Sequence, residues 1–371
     1  MRVTPRQRVL AAGYGEPVDR IPVTPYMGNY GAALAGVPID RYCVDADLMA
    51  HAQLAARRLV GQDMLVAQSD AYYMAEGLGM STVSRAGTTP APGAWPVSDL
   101  SQIDSLSVPD PLRDGRMPVY LGAIQLLREA AGDELAVRAC GTGAFSLAGH
   151  MMGPEAFVTA LAMLDVDPDP AAERRLALLM EVCTQTTIRF ALAALEHGAD
   201  VVMSGDSLAS LDMISPAIYE RWALPYERAF FDRVRPAAEA RGALTLLHIC
   251  GDTTPVLARE VASGAHVVEF DWKVDPAVAR RTADAAPARP VALMGNLDPT
   301  SVLLQGTPEL VRREADRAIA AGARAGSESS DGGHDPGTGF LLGSGCEVAP
   351  ATPLANARAM VAACEREDSD G

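Results

Sequence analysis

Short apolar runs rich in β-branched residues alternate with long helical patterns along the chain, and this alternation limits the possible folds most strongly. Strands that are apolar on both faces and separated by helices pair in parallel. Eight such runs in 371 residues predict an α/β fold, a (β/α)8 TIM barrel, rather than an open sheet. No G-x-G-x-x-G follows any run, so a doubly wound dinucleotide-binding sheet is not favoured. The predicted strands are Ile21–Pro25, Gln62–Ala67, Ala136–Cys140, Asp200–Ser204, Ala243–Ile249, Ala265–Phe270, Val291–Gly295 and Gly339–Gly343.

We interpret residues 1–371 as one domain in which two segments interrupt the alternation. Residues 72–116 are rich in Gly and Pro and are predicted to be an excursion between the second and third strands. Residues 324–338 form a polar, Gly-rich loop before the eighth strand, which we expect to be mobile and near the barrel mouth. The predicted helices include Pro154–Leu164, Ala172–His197, Pro216–Arg241, Thr307–Ala321 and Thr352–Glu365.

The charge balance excludes some classes of partner. The chain has 47 acidic and 31 basic residues and a net charge of −16, so its surface repels phosphate backbones and anionic lipids. We therefore expect no nucleic-acid or membrane partner. The sequence has no long apolar leader and only six cysteines, which favours a cytoplasmic protein with free or metal-bound thiols. A monomer and a homodimer both remain open.

Three residues at predicted strand ends have the chemistry of metal ligands. His248 and Cys250, in LLHICGDT, are two apart on one strand, so their side chains point to the same side. Cys346 follows the eighth strand, in LLGSGCEV, and the strands of a barrel end at a common mouth. One His and two thiolates make a zinc ligand set with an open fourth position, as a catalytic zinc requires. The residues alone leave a second interpretation open, that these are separate buried side chains.

Six stretches carry a family pattern: SDAYYMAEGLGM (Ser69–Met80), GAFSLAGHMMGPEAF (Gly143–Phe157), GADVVMSGDSLASLDMISP (Gly198–Pro216), LHICGDTTPVL (Leu247–Leu257), GNLDP (Gly295–Pro299) and GFLLGSGCEVAPATPLANARAMV (Gly339–Val361). Through them the chain resembles the uroporphyrinogen decarboxylase superfamily, specifically its zinc-dependent corrinoid methyltransferase branch, which includes the methylcobamide:coenzyme M methyltransferases. The resemblance implies a single uroporphyrinogen-decarboxylase-like (β/α)8 barrel. It also implies that Zn²⁺ is bound by an H-x-C…C motif, which corresponds here to His248, Cys250 and Cys346.

The resemblance further implies a corrinoid, such as methylcobalamin, as co-substrate, together with a small thiol or methyl donor. Corrinoid-binding domains use a D-x-H-x-x-G motif, but here Gly332 precedes His334 where the Asp should be. We therefore expect the corrinoid on a separate protein or as free cobalamin. Decarboxylases of the superfamily hold substrate carboxylates with an arginine after the first strand. Residues 24–34 contain no arginine, so porphyrinogen decarboxylation is not expected.

The predicted activity is therefore methyl transfer between a corrinoid and a small molecule. Zinc would either activate a thiol as the nucleophile or act as a Lewis acid on a methyl donor. Three alternatives stay open: a corrinoid-independent zinc thiol alkyltransferase, a metal-free decarboxylase with different substrate contacts, and a non-catalytic barrel with structural zinc.

Two carboxylates and several pocket residues complete the predicted site. Asp70 follows the second strand and Asp206 the fourth, so both are predicted to face the mouth as catalytic residues. The resemblance places Asp70 where decarboxylases contact pyrrole nitrogens, and Asp206 is a candidate to support or occupy the zinc site. The alternative interpretation is a helix cap for Asp70, and a cap or a solvated loop carboxylate for Asp206. The predicted substrate-binding residues, for which packing or turn formation is the alternative, are Met27, Tyr30, Tyr72, Met294 and Asn296.

Overall fold

The computed structural model describes residues 3–286, 290–324 and 338–365, in which seven parallel strands form one curved sheet. Neighbouring strands pair in the order β1-β4-β5-β6-β7-β8-β9. These strands are β1 (Met64–Ala67), β4 (Ala136–Thr142), β5 (Val201–Gly205), β6 (Leu244–Ile249), β7 (Val267–Phe270), β8 (Ala292–Leu297) and β9 (Phe340–Ser344). The predicted barrel fold is confirmed.

The first predicted strand, Ile21–Pro25, closes the barrel without becoming a regular strand. Its backbone lies between β9 and the start of β1, with Thr24 N donating to Leu342 O at 2.8 Å and Asp63 N donating to Val23 O at 2.8 Å. Only Val23 forms a parallel bridge. Pro22 and Pro25 have no N–H to donate, so a continuous ladder cannot form here.

Helices surround the sheet, and several begin at an Asp, Ser or Thr whose side chain accepts hydrogen bonds from the first turn. Among the described residues one helix, α9, is long and apolar enough to cross a membrane, but 67% of its apolar window is buried inside the protein. The helices are α1 (Pro5–Tyr14), α2 (Gly28–Leu34), α3 (Ile39–Tyr42), α4 (Ala46–Val60), α5 (Tyr73–Gly77), α6 (Met117–Ala131), α7 (Ala144–Met152), α8 (Pro154–Val166), α9 (Pro170–Glu196), α10 (Pro216–Ile218), α11 (Leu224–Glu239), α12 (Leu257–Val261), α13 (Pro276–Asp284), α14 (Pro308–Gly322) and α15 (Leu354–Ala362).

The excursion at residues 72–116 contains α5 and a two-stranded antiparallel hairpin, β2 (Ser81–Val83) and β3 (Ala91–Ala94). It ends at Arg116, whose side chain returns to the barrel mouth and pairs with Asp70 at 2.7 Å. The excursion therefore contributes a charged side chain to the mouth.

The loop at residues 324–338 is anchored differently from the prediction. Arg324 and Thr338 pair with each other, and Arg324 Nε donates to Asp284, the last residue of α13, at 2.7 Å. Since the loop follows a helix and enters β9 at its amino end, both anchors lie at the end of the barrel opposite the mouth. Residues 325–337, which include His334, lie outside the described residues.

Side chains alternate along the strands, and one set points into the barrel. Most of this set is apolar, and α1 packs against its lower end. Two charged residues share the interior: Arg138 in β4, with 0% of its surface exposed, and Glu269 in β7, with 1%. These two lie directly below the mouth because His248 pairs in register with Glu269.

Candidate metal centre at the barrel mouth

His248, Cys250 and Cys346, which we call the thiol cluster, meet at the carboxyl ends of β6 and β9. One ligand atom from each residue lies within 4.8 Å of the others. His248 Nε2 is 3.2 Å from Cys250 Sγ, and the two sulfurs are 3.5 Å apart. The structure thus brings together the three residues that the sequence predicts as metal ligands.

Local backbone features bring the two cysteines to one point. Gly251 follows Cys250 with a φ of +87°, a conformation that favours glycine and turns the chain sharply after β6. Gly345 precedes Cys346, and a Cβ there would lie 2.5 Å from the backbone nitrogen of Trp272. The close approach to the loop after β7 therefore requires glycine at position 345.

The imidazole of His248 lies directly above a buried ion pair. His248 Nδ1 lies 3.1 Å from Glu269 Oε2, and Arg138 Nη1 donates to Glu269 Oε1 at 2.8 Å. Burial alone would raise the pKa of Glu269, but the charges of Arg138 and His248 lower that pKa to about 2. The carboxylate is therefore ionised, and Nε2 of His248 is the ring nitrogen that faces the sulfurs.

Asp70, the first predicted catalytic carboxylate, lies on the other side of the mouth in a closed set of partners. Arg116 donates to both of its oxygens, at 2.7 and 2.9 Å, and Tyr120 Oη donates at 3.0 Å. Arg116 also bonds Glu76 at 2.8 Å. We call Asp70, Glu76, Arg116 and Tyr120 the carboxylate network. Asp70 lines the mouth, as predicted, but its hydrogen-bonding capacity is used within the protein.

Asp206, the second predicted catalytic carboxylate, is fully buried and binds a helix terminus. Its oxygens accept from the backbone N–H groups of Phe145 at 3.3 Å and Ser146 at 2.6 Å, in the first turn of α7. Burial raises the pKa of Asp206, and these N–H groups oppose that effect. The geometry therefore corresponds to the helix-cap interpretation of Asp206, because its carboxylate is bound to α7 and not to a residue of the thiol cluster.

A cavity of about 220 Å³ opens beside the thiol cluster. Tyr26 lies edge-on to the His248 ring, with 6.3 Å between centroids. Glu347 has a pKa of about 7 because burial raises it, and its Oε1 accepts from Asn29 N at 2.6 Å. A cavity of this volume has room for a small molecule only. Its lining includes His248, Cys346, Tyr26, Asp70, Cys140, Thr142, His150, Met203, Ser207 and Glu347.

The predicted substrate-binding residues lie elsewhere, with one exception. Met27 and Tyr30 are 0% and 1% exposed and pack into the apolar core between the sheet and the outer helices, which corrects their prediction as pocket walls. Met294 is buried inside the barrel. Asn296 donates to the backbone oxygens of Asp271 and Val274, as a turn-forming residue does. Tyr72 alone stays near the cavity, with its ring 4.9 Å from that of His150.

Sequence reasoning missed five residues around the site: Tyr26, Arg116, Arg138, Glu269 and Glu347. Two of them carried a visible signal, because Arg138 and Glu269 are charges within otherwise apolar strand runs. Arg116 carried none, since it is 46 residues from Asp70 and comes from an irregular segment.

The donor set suits a soft divalent metal. One imidazole nitrogen and two thiol sulfurs form a three-ligand set of the kind that binds zinc with a fourth position left for water or substrate. The adjacent cavity gives that fourth position access to a small molecule. The side chains of His248, Cys250 and Cys346 therefore fit a zinc ion.

Comparison with known proteins identifies the family of the chain. A family model described as uroporphyrinogen decarboxylase (URO-D) matches residues 4–367. The methylcobamide:CoM methyltransferase MtbA of Methanosarcina mazei is 30% identical over 365 residues and covers 96% of each chain. The uroporphyrinogen decarboxylase of Geobacter sp. strain M21 is 27% identical over 364 residues, 95% of this chain and 96% of that protein. A solved structure of a methyltransferase from Methanosarcina mazei matches with a TM-score of 0.80 at 27% identity, covering 98% of both chains.

These matches cover the whole barrel and include both methyltransferases and decarboxylases. They confirm the family that the sequence motifs predict. The chain belongs to the uroporphyrinogen decarboxylase family.

Proposed function

We propose that this protein is a methyltransferase that moves a methyl group from a methylated corrinoid to a small thiol bound at zinc. His248, Cys250 and Cys346 would hold the zinc ion. The observation that carries the proposal is the convergence of one imidazole and two thiols beside a cavity at the barrel mouth. The resemblance to the methylcobamide:CoM methyltransferase MtbA supports a methylated corrinoid as the donor.

The charge of the donor set suits this reaction. Zinc bound there would lower the pKa of an incoming thiol, so that its sulfur is a thiolate near neutral pH. Two cysteine thiolates and a neutral imidazole cancel two positive charges, so the substrate sulfur remains electron-rich. As the new sulfur–carbon bond forms, the cobalt–carbon bond breaks and its electron pair stays on cobalt.

The cavity size separates the two substrates. About 220 Å³ admits a small thiol but not a corrin ring. We therefore propose that the corrinoid, on a separate protein or as free cobalamin, stays at the mouth and presents only its methyl-bearing face. Oxidised cysteines cannot bind zinc as thiolates, so we also propose that the protein works in a reducing, cytoplasmic environment.

The test begins with zinc content. Wild type and Cys250→Ala are purified under reducing conditions, reconstituted with zinc and measured by mass spectrometry. We expect about one zinc per chain in wild type and little in the variant, since one of three ligands is lost. Wild type that binds no zinc after reconstitution would exclude the proposed site.

The second part measures methyl transfer. Zinc-loaded protein is mixed anaerobically with methylcobalamin and a panel of small thiols, and the loss of methylcobalamin absorbance is followed with time. We expect wild type to form the methyl thioether and cob(I)alamin, and Cys250→Ala to do so at the uncatalysed rate. Zinc-dependent alkylation of the thiol by another electrophile, without reaction of methylcobalamin, would favour the corrinoid-independent alkyltransferase instead.

A further inference from the structure

A series of contacting polar side chains extends from the barrel interior to the thiol cluster. Arg138 donates from two guanidinium nitrogens to the two oxygens of Glu269, a fork-to-fork pair with both side chains 0% exposed. Glu269 Oε2 then lies 3.1 Å from His248 Nδ1. These three side chains thus connect β4, β7 and β6.

This pair is unusual for its position. The interior of a TIM barrel is ordinarily filled by layers of branched apolar side chains. Here the guanidinium of Arg138 lies 4.6 Å from the centre of the Tyr26 ring and contacts the sulfurs of two methionines, Met203 and Met294. Burying two charges carries a desolvation cost that their attraction must offset. Replacing such a pair by apolar residues of similar volume often leaves a protein equally or more stable. Stability alone therefore does not account for an Arg and a Glu here.

The carboxylate lies where it controls the orientation of the imidazole. A histidine that binds a metal through one nitrogen ordinarily donates its other N–H to an oxygen, which fixes both the tautomer and the ring orientation. Here Glu269 faces Nδ1, so Nε2 is the ring nitrogen directed toward Cys250, 3.2 Å away. Arg138 in turn holds the carboxylate in one orientation through both of its oxygens.

We propose that Glu269 and Arg138 are positioning residues, which hold His248 as the Nδ1–H tautomer with Nε2 presented to the metal. The inference rests on the proposed function because it requires His248 to bind zinc. It assigns to the buried pair a role in metal affinity that an ion pair serving only stability would not have.

The test uses a double variant, Arg138→Met with Glu269→Leu, which removes both charges and leaves neither partner buried alone. Zinc affinity is measured by competition with a chromogenic chelator, and folding by circular dichroism and thermal unfolding. We expect a folded protein that binds zinc 10- to 100-fold more weakly than wild type. The matched control is Glu227→Gln, an equally buried carboxyl side chain on α11, for which we expect wild-type zinc affinity.

A second measurement uses the wild-type protein, so the inference does not depend on the variant folding. In zinc-loaded protein labelled with ¹⁵N-histidine, the His248 ring is expected to show a proton on Nδ1 and zinc on Nε2. Zinc on Nδ1, or a folded double variant with wild-type zinc affinity, would overturn the inference and leave the proposed function intact. Wild type without zinc affinity would overturn both.

Discussion

The thiol cluster and the carboxylate network lie at the same mouth and contain buried polar groups, yet they differ in how those groups are used. In the carboxylate network, Arg116 forms a fork with Asp70 and a third bond to Glu76, so charges are matched within the protein. In the thiol cluster, an imidazole nitrogen and two sulfurs, atoms of the kind that bind a metal, lie close together, 3.2 Å from nitrogen to sulfur and 3.5 Å from sulfur to sulfur. The carboxylate network has its charged groups paired within the protein, whereas a bound cation would stabilise the thiol cluster.

Polar residues at strand ends therefore have two different roles in this barrel, a structural one and, as we propose, a metal-binding one. Asp70 and Asp206 both stand where a barrel enzyme places catalytic groups. Their oxygens are nevertheless bound to Arg116 and Tyr120 in one case and to the start of α7 in the other. A strand-end position therefore indicates a site where metal-binding donor atoms converge beside a cavity, as in the thiol cluster.

Loss of one thiol should have the largest effect of any change at the mouth. We expect Cys346→Ala to bind no more than traces of zinc and to lose methyl transfer by about 1000-fold or more, since chemistry at the metal is removed. Cys183→Ala is the matched control, because Cys183 is a fully buried thiol in α9 that lies outside the cluster and the cavity. Wild-type zinc content in Cys346→Ala would contradict the distinction between the two regions.

Breaking the carboxylate network should affect stability and not metal binding. Arg116→Met leaves Asp70 buried without its cation, which we expect to lower the free energy of unfolding by about 3–5 kcal/mol. Zinc content per folded chain should not change. Arg113→Met is the control in the same segment, since this exposed pair with Asp110 should contribute less than about 1 kcal/mol. Urea unfolding of the two variants measures the difference, and equal midpoints would show that the network is not structural.

Much of this arrangement follows from sequence, for a physical reason. A strand of a parallel sheet is buried on both faces, so its apolar run is visible without knowledge of its neighbours. The H-x-C pair shares one strand face, and the barrel mouth brings Cys346 to it. The first strand differs because Pro22 and Pro25 interrupt the alternation of side chains along it. The sequence therefore does not show that Tyr26 faces the cavity while Met27 packs into the core.

Other parts of the site depend on contacts that no local pattern contains. Arg116 reaches Asp70 from the end of an irregular excursion, and Glu347 is held by a backbone N–H in α2. Their positions are set by tertiary packing of loops, for which the spacing along the chain carries no information. The charges of Arg138 and Glu269 are visible in the strands, but their pairing across the barrel is visible only in three dimensions.

Replacing Asp206 tests the helix-cap interpretation, and we expect a smaller loss of stability than for Arg116→Met. In Asp206→Ala the N–H groups of Phe145 and Ser146 lose their acceptor, so we expect unfolding to become easier by about 1–3 kcal/mol. Zinc affinity should be unchanged and kcat should fall less than tenfold. A fall of more than 100-fold in kcat, with zinc bound and the fold intact, would return Asp206 to the catalytic residues predicted from sequence.

The smallest expected effect is a pH dependence confined to the thiol-cluster side. The folded pKa of Glu269, about 2, is below the ordinary value of 4.5, so its ionised form contributes stability above pH 4.5 that is lost as the pH falls toward 2. Without metal, wild type should therefore lose about 1–2 kcal/mol more between pH 5 and pH 3 than a triple variant that adds His248→Met to Arg138→Met/Glu269→Leu, so that no buried imidazole titrates in the variant. Urea unfolding of both proteins across this range measures the difference. Parallel pH curves would show that Glu269 titrates in the folded protein as it does in the unfolded chain, which would contradict an ionised carboxylate paired with Arg138 and His248.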